Sequence, residues 1–324
     1  MHFQKIKTLC AIAALTALCR LALQAGAVQL SFLGDEAVVQ DTVRLLTNNG
    51  CTQQAALIYK QAVQRYFLDP LDFDLSKFPK PQQGFYFFAT SEKLIAALPH
   101  NIFDSDHKLN FNCFDTAIIL ASGQFKTELH PDDIAGPFLV TSMFTNNQIA
   151  IFPTATPRDA FTHGYSSYGE DANRFVPKPM QEDRICLTAA LFRCYMLPLS
   201  TTEETLNTQA ISVLRAAWRR DGLKFPDRFE FILCHYINLR QHAIVTEHAG
   251  LLFRKDKGYT YLEKAGISGP FLRLDFENRA DLMPWLAAMF SWPGVQNSHY
   301  VTFNDTRIEK LDTFQKIKNS KPEH

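Results

Sequence analysis

Apolar positions recur at helical spacing in the first part of the chain and at strand spacing later. In DEAVVQDTVRLLTNNG (35–50) and CTQQAALIYKQAVQRYF (51–67) they return every three or four residues, which predicts two helices parted by the Asn48-Asn49-Gly50 stop. DPLDFDLSKFPKPQQG (69–84) is a Pro- and Asp-rich connector, GFYFFAT (84–90) a short strand, and SEKLIAALPH (91–100) a helix capped by Ser91 and ended at Pro99. NFNCFDTAIILASG (110–123) then predicts a helix from Cys113 to Ser122 with Gly123 as its stop. A strand at QIAIF (148–152) leads into a long polar connector, 154–182. Loops of that length are uncommon inside compact domains and are often functional.

Two strong helices follow, EDRICLTAALFRCYMLPL (182–199) and TTEETLNTQAISVLRAAWRRDG (201–222). The second is acidic at its start and basic at its end, as the helix dipole favours. From there the period changes. RFEFILCHYINLR (228–240) is rich in β-formers, and HAGLLFRKDKGYTYLEK (248–264) reads as a hairpin turning at Lys255-Asp256-Lys257-Gly258, with His248 at the strand start. ENRADLMPWLAAMF (277–290) is a late helix with Pro284 near its first turns, and HYVTFND (299–305) a last strand. Helices first and antiparallel strands later predict an α+β domain, with no internal repeat.

Composition narrows the function classes. The 324 residues suit one large domain or two modest ones, with 46 % apolar and 20 % charged residues, which excludes a disordered chain. Lys plus Arg and Asp plus Glu both number 33, so no basic excess points to nucleic acid and no single-sign block to a membrane surface. The 27 phenylalanines point to core filling. The first residues, MHFQKIKTLCAIAALTALCRLALQAGA, combine Lys5 and Lys7, an apolar run from Leu9 to Cys19, and Ala25-Gly26-Ala27. This predicts a signal peptide over 1–27, cleaved after Ala27; the run is shorter than the ~20 residues that span a bilayer. The expected product is a periplasmic or secreted protein, 28–324, one α+β domain whose 28–100 part is mainly helical, with no membrane span after cleavage.

Cleavage removes Cys10 and Cys19 and leaves Cys51, Cys113, Cys186, Cys194 and Cys234, an odd set, so at least one thiol stays free unless chains pair. Cys186 and Cys194, read as sharing one helix, would lie about 12 Å apart, too far to bridge. A disulfide from Cys113 to Cys51 or Cys234 stays open.

Cys113 is the residue with chemistry. A thiol is a useful nucleophile as thiolate, and a helix N-terminus or a neighbouring imidazolium lowers its pKa. Cys113 opens an apolar helix after a polar run, where free backbone N–H groups could also receive an oxyanion. Among ten histidines, His248 is the best placed base, because Ala249 and Gly250 let another element approach. The hairpin returns Glu263 to about the same level, where its carboxylate could orient the ring. Asn304 and Asp305 are rivals for that third role. Asn112 is a helix cap or an oxyanion donor. Each residue also has an ordinary structural reading: a buried thiol, a strand histidine, a solvated glutamate.

Other chemistries fit less well. His242, Glu247 and His248 lack zinc-binding spacing, and lie on a strand. GYSSYG (164–169) is not a nucleophile elbow; with His163, Tyr165 and Tyr168 it is a loop near a substrate groove or an ordinary surface loop. No phosphate-binding glycine motif or paired C-x-x-C is present, so no metal and no cofactor is expected.

Cysteine at a helix start, histidine on a strand and a polar residue on the next strand resemble the papain-like superfamily and its NlpC-type cell-wall peptidase branch. Asn112-Cys113, EHAGLLF (247–253), YLEKAG (261–266), PFLRLDFENRADLMPWL (270–286) and FND (303–305) resemble an uncharacterised bacterial family, domain of unknown function 4300. Glu247 stands where that family has Gly, and Phe114 where it tends to have Arg. The resemblance implies a papain-like fold with helices packed on an antiparallel sheet, and a cysteine peptidase or amidase using Cys113, His248 and Glu263. Its substrate would be a peptide or other acyl compound, with peptidoglycan within reach after export. An acyltransferase using the same pair, or a non-catalytic binding or scaffold protein on the same fold, are the alternatives.

Overall fold

The computed structural model describes residues 28–68, 74–98, 113–130, 144–145, 148–149, 186–192, 194–265, 269–290 and 298–311. The 1–27 segment expected to be a signal peptide, Asn112 and the 154–182 connector lie outside these residues.

The fold is α+β. A mixed-length antiparallel sheet is built from β1 (Val28–Ser31), β2 (Tyr86–Phe88), β5 (Tyr195–Met196), β6 (Phe229–Asn238), β7 (Ala243–Arg254), β8 (Tyr259–Lys264), β9 (Phe271–Phe276), β10 (Ser298–Phe303) and β11 (Arg307–Leu311). They lie in the order β11-β10-β6-β7-β8-β9-β1-β2, with β5 added beside one end of β7. A separate two-stranded piece pairs β3 (Phe144–Thr145) with β4 (Gln148–Ile149). The helices are α1 (Glu36–Asn48), α2 (Gln53–Tyr66), α3 (Ser91–Ala97), α4 (Cys113–Ala121), α5 (residues 186–191), α6 (Leu206–Arg220) and α7 (Leu282–Phe290).

The central strands are buried on both faces, which explains why β6 to β9 read as nearly continuous apolar runs. Phe231, Leu233, Leu251, Phe253 and Leu262 face a core built with α1, α2, α4, α5 and α6. Ile232, Leu252, Tyr261, Leu272 and Leu274 face a second core closed by α3 and α7. Arg273 ties the layers electrostatically. It pairs with Asp275 on its own strand and Asp41 on α1, each at 2.9 Å.

Local chemistry sets the boundaries. Asp35 caps α1 through Oδ1 to the N–H groups of Ala37 and Val38. The β7–β8 turn closes with Lys255 N–H donating to the Gly258 carbonyl at 3.0 Å, Gly258 holding φ 84° that side chains resist.

Several expected boundaries change. Thr90, not Ser91, caps α3; the Ser91 hydroxyl instead donates to the Asp281 carbonyl, docking α3 on the segment before α7. Cys194 is outside α5 and leads into β5, because the chain turns there to pair with Ala243 and Ile244. Helix α6 begins only at Leu206, since Thr202 and Thr205 first exchange hydrogen bonds in a turn. Strands β1, β9 and β11 were not expected. HYVTFND is therefore the penultimate strand, and β7 starts at Ala243, leaving His248 in mid-strand. All five described cysteines are free thiols, so neither Cys51 nor Cys234 is bridged to Cys113. Among the described residues no helix is long and apolar enough to cross a membrane.

Candidate functional site

Helix α4 is apolar on nearly every side, which makes it a buried element. It packs on α2 and against β7 and β8. Cys113 is its first residue and is 5 % exposed. The sheet leaves room for this end of the helix. Strand β7 pairs with β6 along its length, but its other edge meets β8 only from Gly250 onward and β5 only at Ala243 and Ile244. Among the described residues, no strand covers that edge from Val245 to Ala249, the stretch that holds His248.

His248 is 1 % exposed and makes two side-chain hydrogen bonds. One joins it to Cys113. The other runs from Nε2 to Glu263 Oε2 at 2.7 Å. With Nε2 engaged by the carboxylate, Nδ1 is the ring nitrogen left for the thiol. The register sets Glu263 opposite Gly250, so His248 and Glu263 are a diagonal pair on one face of β7 and β8. Phe290 of α7 stacks on the imidazole, ring centres 4.1 Å apart.

Glu263 is held by three donors. Besides His248, the Tyr261 hydroxyl donates to Oε2 at 3.0 Å and the Trp285 indole N–H donates to Oε1 at 2.9 Å. Gly250 makes this possible, because a β-carbon there would overlap the Tyr261 hydroxyl and ring. The glycine two residues after His248 thus admits a tyrosine from the neighbouring strand.

Burial of His248 opposes charge on its ring, but negative charge at Cys113 and the hydrogen bond to it, followed by Glu263, raise its pKa to about 9. The ring is therefore an imidazolium at neutral pH, beside the sulfur and clamped by a carboxylate. Burial also pushes the Tyr261 hydroxyl well above its ordinary value, keeping it a neutral donor. Family models, curated proteins and solved structures offer no match to this chain.

Cys113, His248 and Glu263, expected from the sequence, do come together. Tyr261, Trp285 and Phe290 join them from outside that expectation. Tyr261 had a usable signal, since it lies two residues from Glu263 and so shares its face on a strand. Trp285 and Phe290 come from α7, and nothing in the order of residues links that helix to the hairpin. The rivals for the third position serve elsewhere. The Asn304 side chain accepts from Phe231 N–H at 2.7 Å, and the Asp305 carbonyl accepts from Arg215 at 2.6 Å. Asn112 lies outside the described residues, as do His163, Tyr165 and Tyr168.

A second polar pair adjoins the first. Between Cys234 and His235 of β6 the pairing with β7 slips by one, so Glu247 is the extra residue of a β-bulge. Thr246 faces α5, donating to the Leu191 carbonyl at 3.0 Å. Glu247 instead reaches His299 of β10, its Oε2 3.7 Å from His299 Nε2. His299 alternates with Val301 and Phe303, which lie on the Cys234 side of the sheet. The bulge therefore sets two consecutive residues, Glu247 and His248, on one face. Burial raises Glu247 to about 8, against the pull of His248, and lowers His299 to about 4. The two are close enough for an ion pair but are both neutral at pH 7.

Proposed function

We propose that this chain is a thiol hydrolase with a papain-like arrangement, cleaving an amide, peptide or related acyl bond. The observation that carries the reading is the relay through His248, hydrogen-bonded to Cys113 on one side and to Glu263 on the other. In this reading the Cys113 sulfur attacks the acyl carbon, and a carbon–sulfur bond forms. The His248 imidazolium gives its proton to the leaving amine as the carbon–nitrogen bond breaks. Water then attacks the thioester while His248 takes its proton, and the sulfur leaves. Glu263 holds the ring in orientation throughout, and backbone N–H groups at the start of α4 would stabilise the oxyanion. An acceptor other than water would turn the same acyl-enzyme into a transferase.

Membership of the domain of unknown function 4300 family, export through the 1–27 segment and cell-wall peptides as substrate belong to this proposal. They rest on the sequence resemblance and the reading of the N-terminus.

The test is alkylation of the mature protein by iodoacetamide from pH 5 to 9, with the modified residue found by mass spectrometry. Cys113 is expected to react at a pH where an ordinary thiol, with a pKa of about 8.5, is slow, and His248→Ala is expected to remove that advantage. A Cys113 that stays inert in the folded protein, or reacts equally well without His248, overturns the reading.

A further inference from the structure

The Glu247–His299 pair has no part in that relay, yet it is built into the same face. The Glu247 side chain is only 9 % exposed and that of His299 only 6 %. Among the described residues, Glu247 Oε1 is buried without a hydrogen-bond partner. A buried carboxyl oxygen left unmatched costs stability. A group that meets its valence on binding would offset that cost. The pair lies directly beside His248, which also contacts Cys113.

The surroundings select the ligand. Glu247 is faced by His248 on its own strand, by Cys234 and Tyr236 on β6, and by His299 on β10, with Glu263 behind His248. The Cys234 thiol and the Tyr236 hydroxyl are both pushed up by burial, Tyr236 to about 12, so both are neutral near pH 7. Among the described residues, the one positive neighbour is His248. A cation entering here would meet that imidazolium, and an anion would meet Glu263 behind it. A neutral carboxylic acid presents one O–H donor and one acceptor oxygen side by side. Its complement is a group with a carbonyl and an N–H on the same edge, which a primary carboxamide has and a dialkylated amide lacks.

We propose that Glu247, supported by His299, forms a subsite for a primary carboxamide of the substrate next to the thiol. The inference rests on Cys113 and His248 being the reactive pair, and it makes Glu247 a specificity-determining residue.

Three alkylating probes test it: iodoacetamide, N,N-dimethyl-iodoacetamide and 2-bromoethylammonium. Their relative rates at Cys113 are compared at each pH, so the thiolate fraction cancels. At pH 7 iodoacetamide is expected to lead its dimethyl analogue by roughly tenfold more in the wild type than in Glu247→Leu, the size of one to two net hydrogen bonds. Glu247→Gln, which keeps a donor and an acceptor, is expected to retain the preference. Between pH 7 and 9 the preference falls in the wild type as Glu247 loses its proton, and stays level in Glu247→Gln, whose His248 titrates alike. An unchanged preference in Glu247→Leu overturns the subsite. A wild-type preference for 2-bromoethylammonium that grows with pH also overturns it, in favour of a cation site. Inertness of Cys113 to all three probes instead defeats the hydrolase reading, and the subsite with it.

Discussion

Glu247→Gln is expected to make the protein more stable, by an amount that pH controls. The substitution keeps the shape of the side chain and removes its ability to ionise. In the folded chain burial raises the Glu247 pKa from 4.5 to about 8. The unfolded chain can ionise this group freely above pH 4.5, while the folded chain cannot until about pH 8. The sign follows from linkage: a raised folded-state pKa leaves stability intact below the unfolded value and removes it as pH climbs through the folded one. At about 1.4 kcal/mol per pH unit, the wild type is penalised by about 1 kcal/mol at pH 5 and about 3 kcal/mol at pH 7. Above pH 8 the penalty levels off at about 5 kcal/mol. Glutamine escapes it. Urea unfolding of both proteins at pH 5, 7 and 8.5 measures the difference, and other titrating groups cancel because both proteins carry them. A glutamine variant no more stable than wild type at pH 7, or a gain that does not shrink toward pH 5, would show that burial does not hold the Glu247 proton.

Gly250→Ala forces the Tyr261 hydroxyl off Glu263, because the new methyl group occupies its place. The expected result is a loss of about 1–3 kcal/mol in unfolding free energy and slower alkylation of Cys113, with Tyr261→Phe restoring part of the stability but not the rate. In an NMR titration the His248 ring should hold its proton to about pH 9, and Cys113→Ala should lower that midpoint, since negative charge at Cys113 does most to offset burial. The stability from this charged pair is fully present below pH 6.5 and lost as pH rises through about 9.

The sequence was most informative where local and tertiary forces agree. Helices α1 and α2 carry their caps, stops and apolar faces in the order of their residues. The β7–β8 turn carries its glycine, and from it the approach of Glu263 to His248 could be worked out. Where tertiary pairing decides, the pattern was silent. VQLS and FLRLDF are strands because each finds the other across the sheet, Leu30 opposite Leu274, though 244 residues separate them in the chain. HAGLLF predicts a strand start at His248, yet β7 begins at Ala243, and the bulge at Glu247 depends on the register with β6, which the order of residues in β7 does not carry.

The bulge is also what makes this face chemically uneven. In regular alternation Glu247 would point to the side of Thr246's neighbours in the other core, where an acid has nothing to do. One extra residue turns it toward His299 and sets it beside His248. The face then holds two carboxyls in opposite surroundings. Glu263 receives three hydrogen bonds and is fixed in place. Glu247 has one oxygen with no partner among the described residues and is kept protonated by burial. One acid is tied down by its donors, and the other keeps a proton and an oxygen to offer. An apolar side chain at residue 247 would not carry the cost of a buried carboxyl. The penalty calculated for Glu247 is thus the strongest physical reason to look for its ligand, and the alkylation ratios and the urea titrations read that same proton by independent routes.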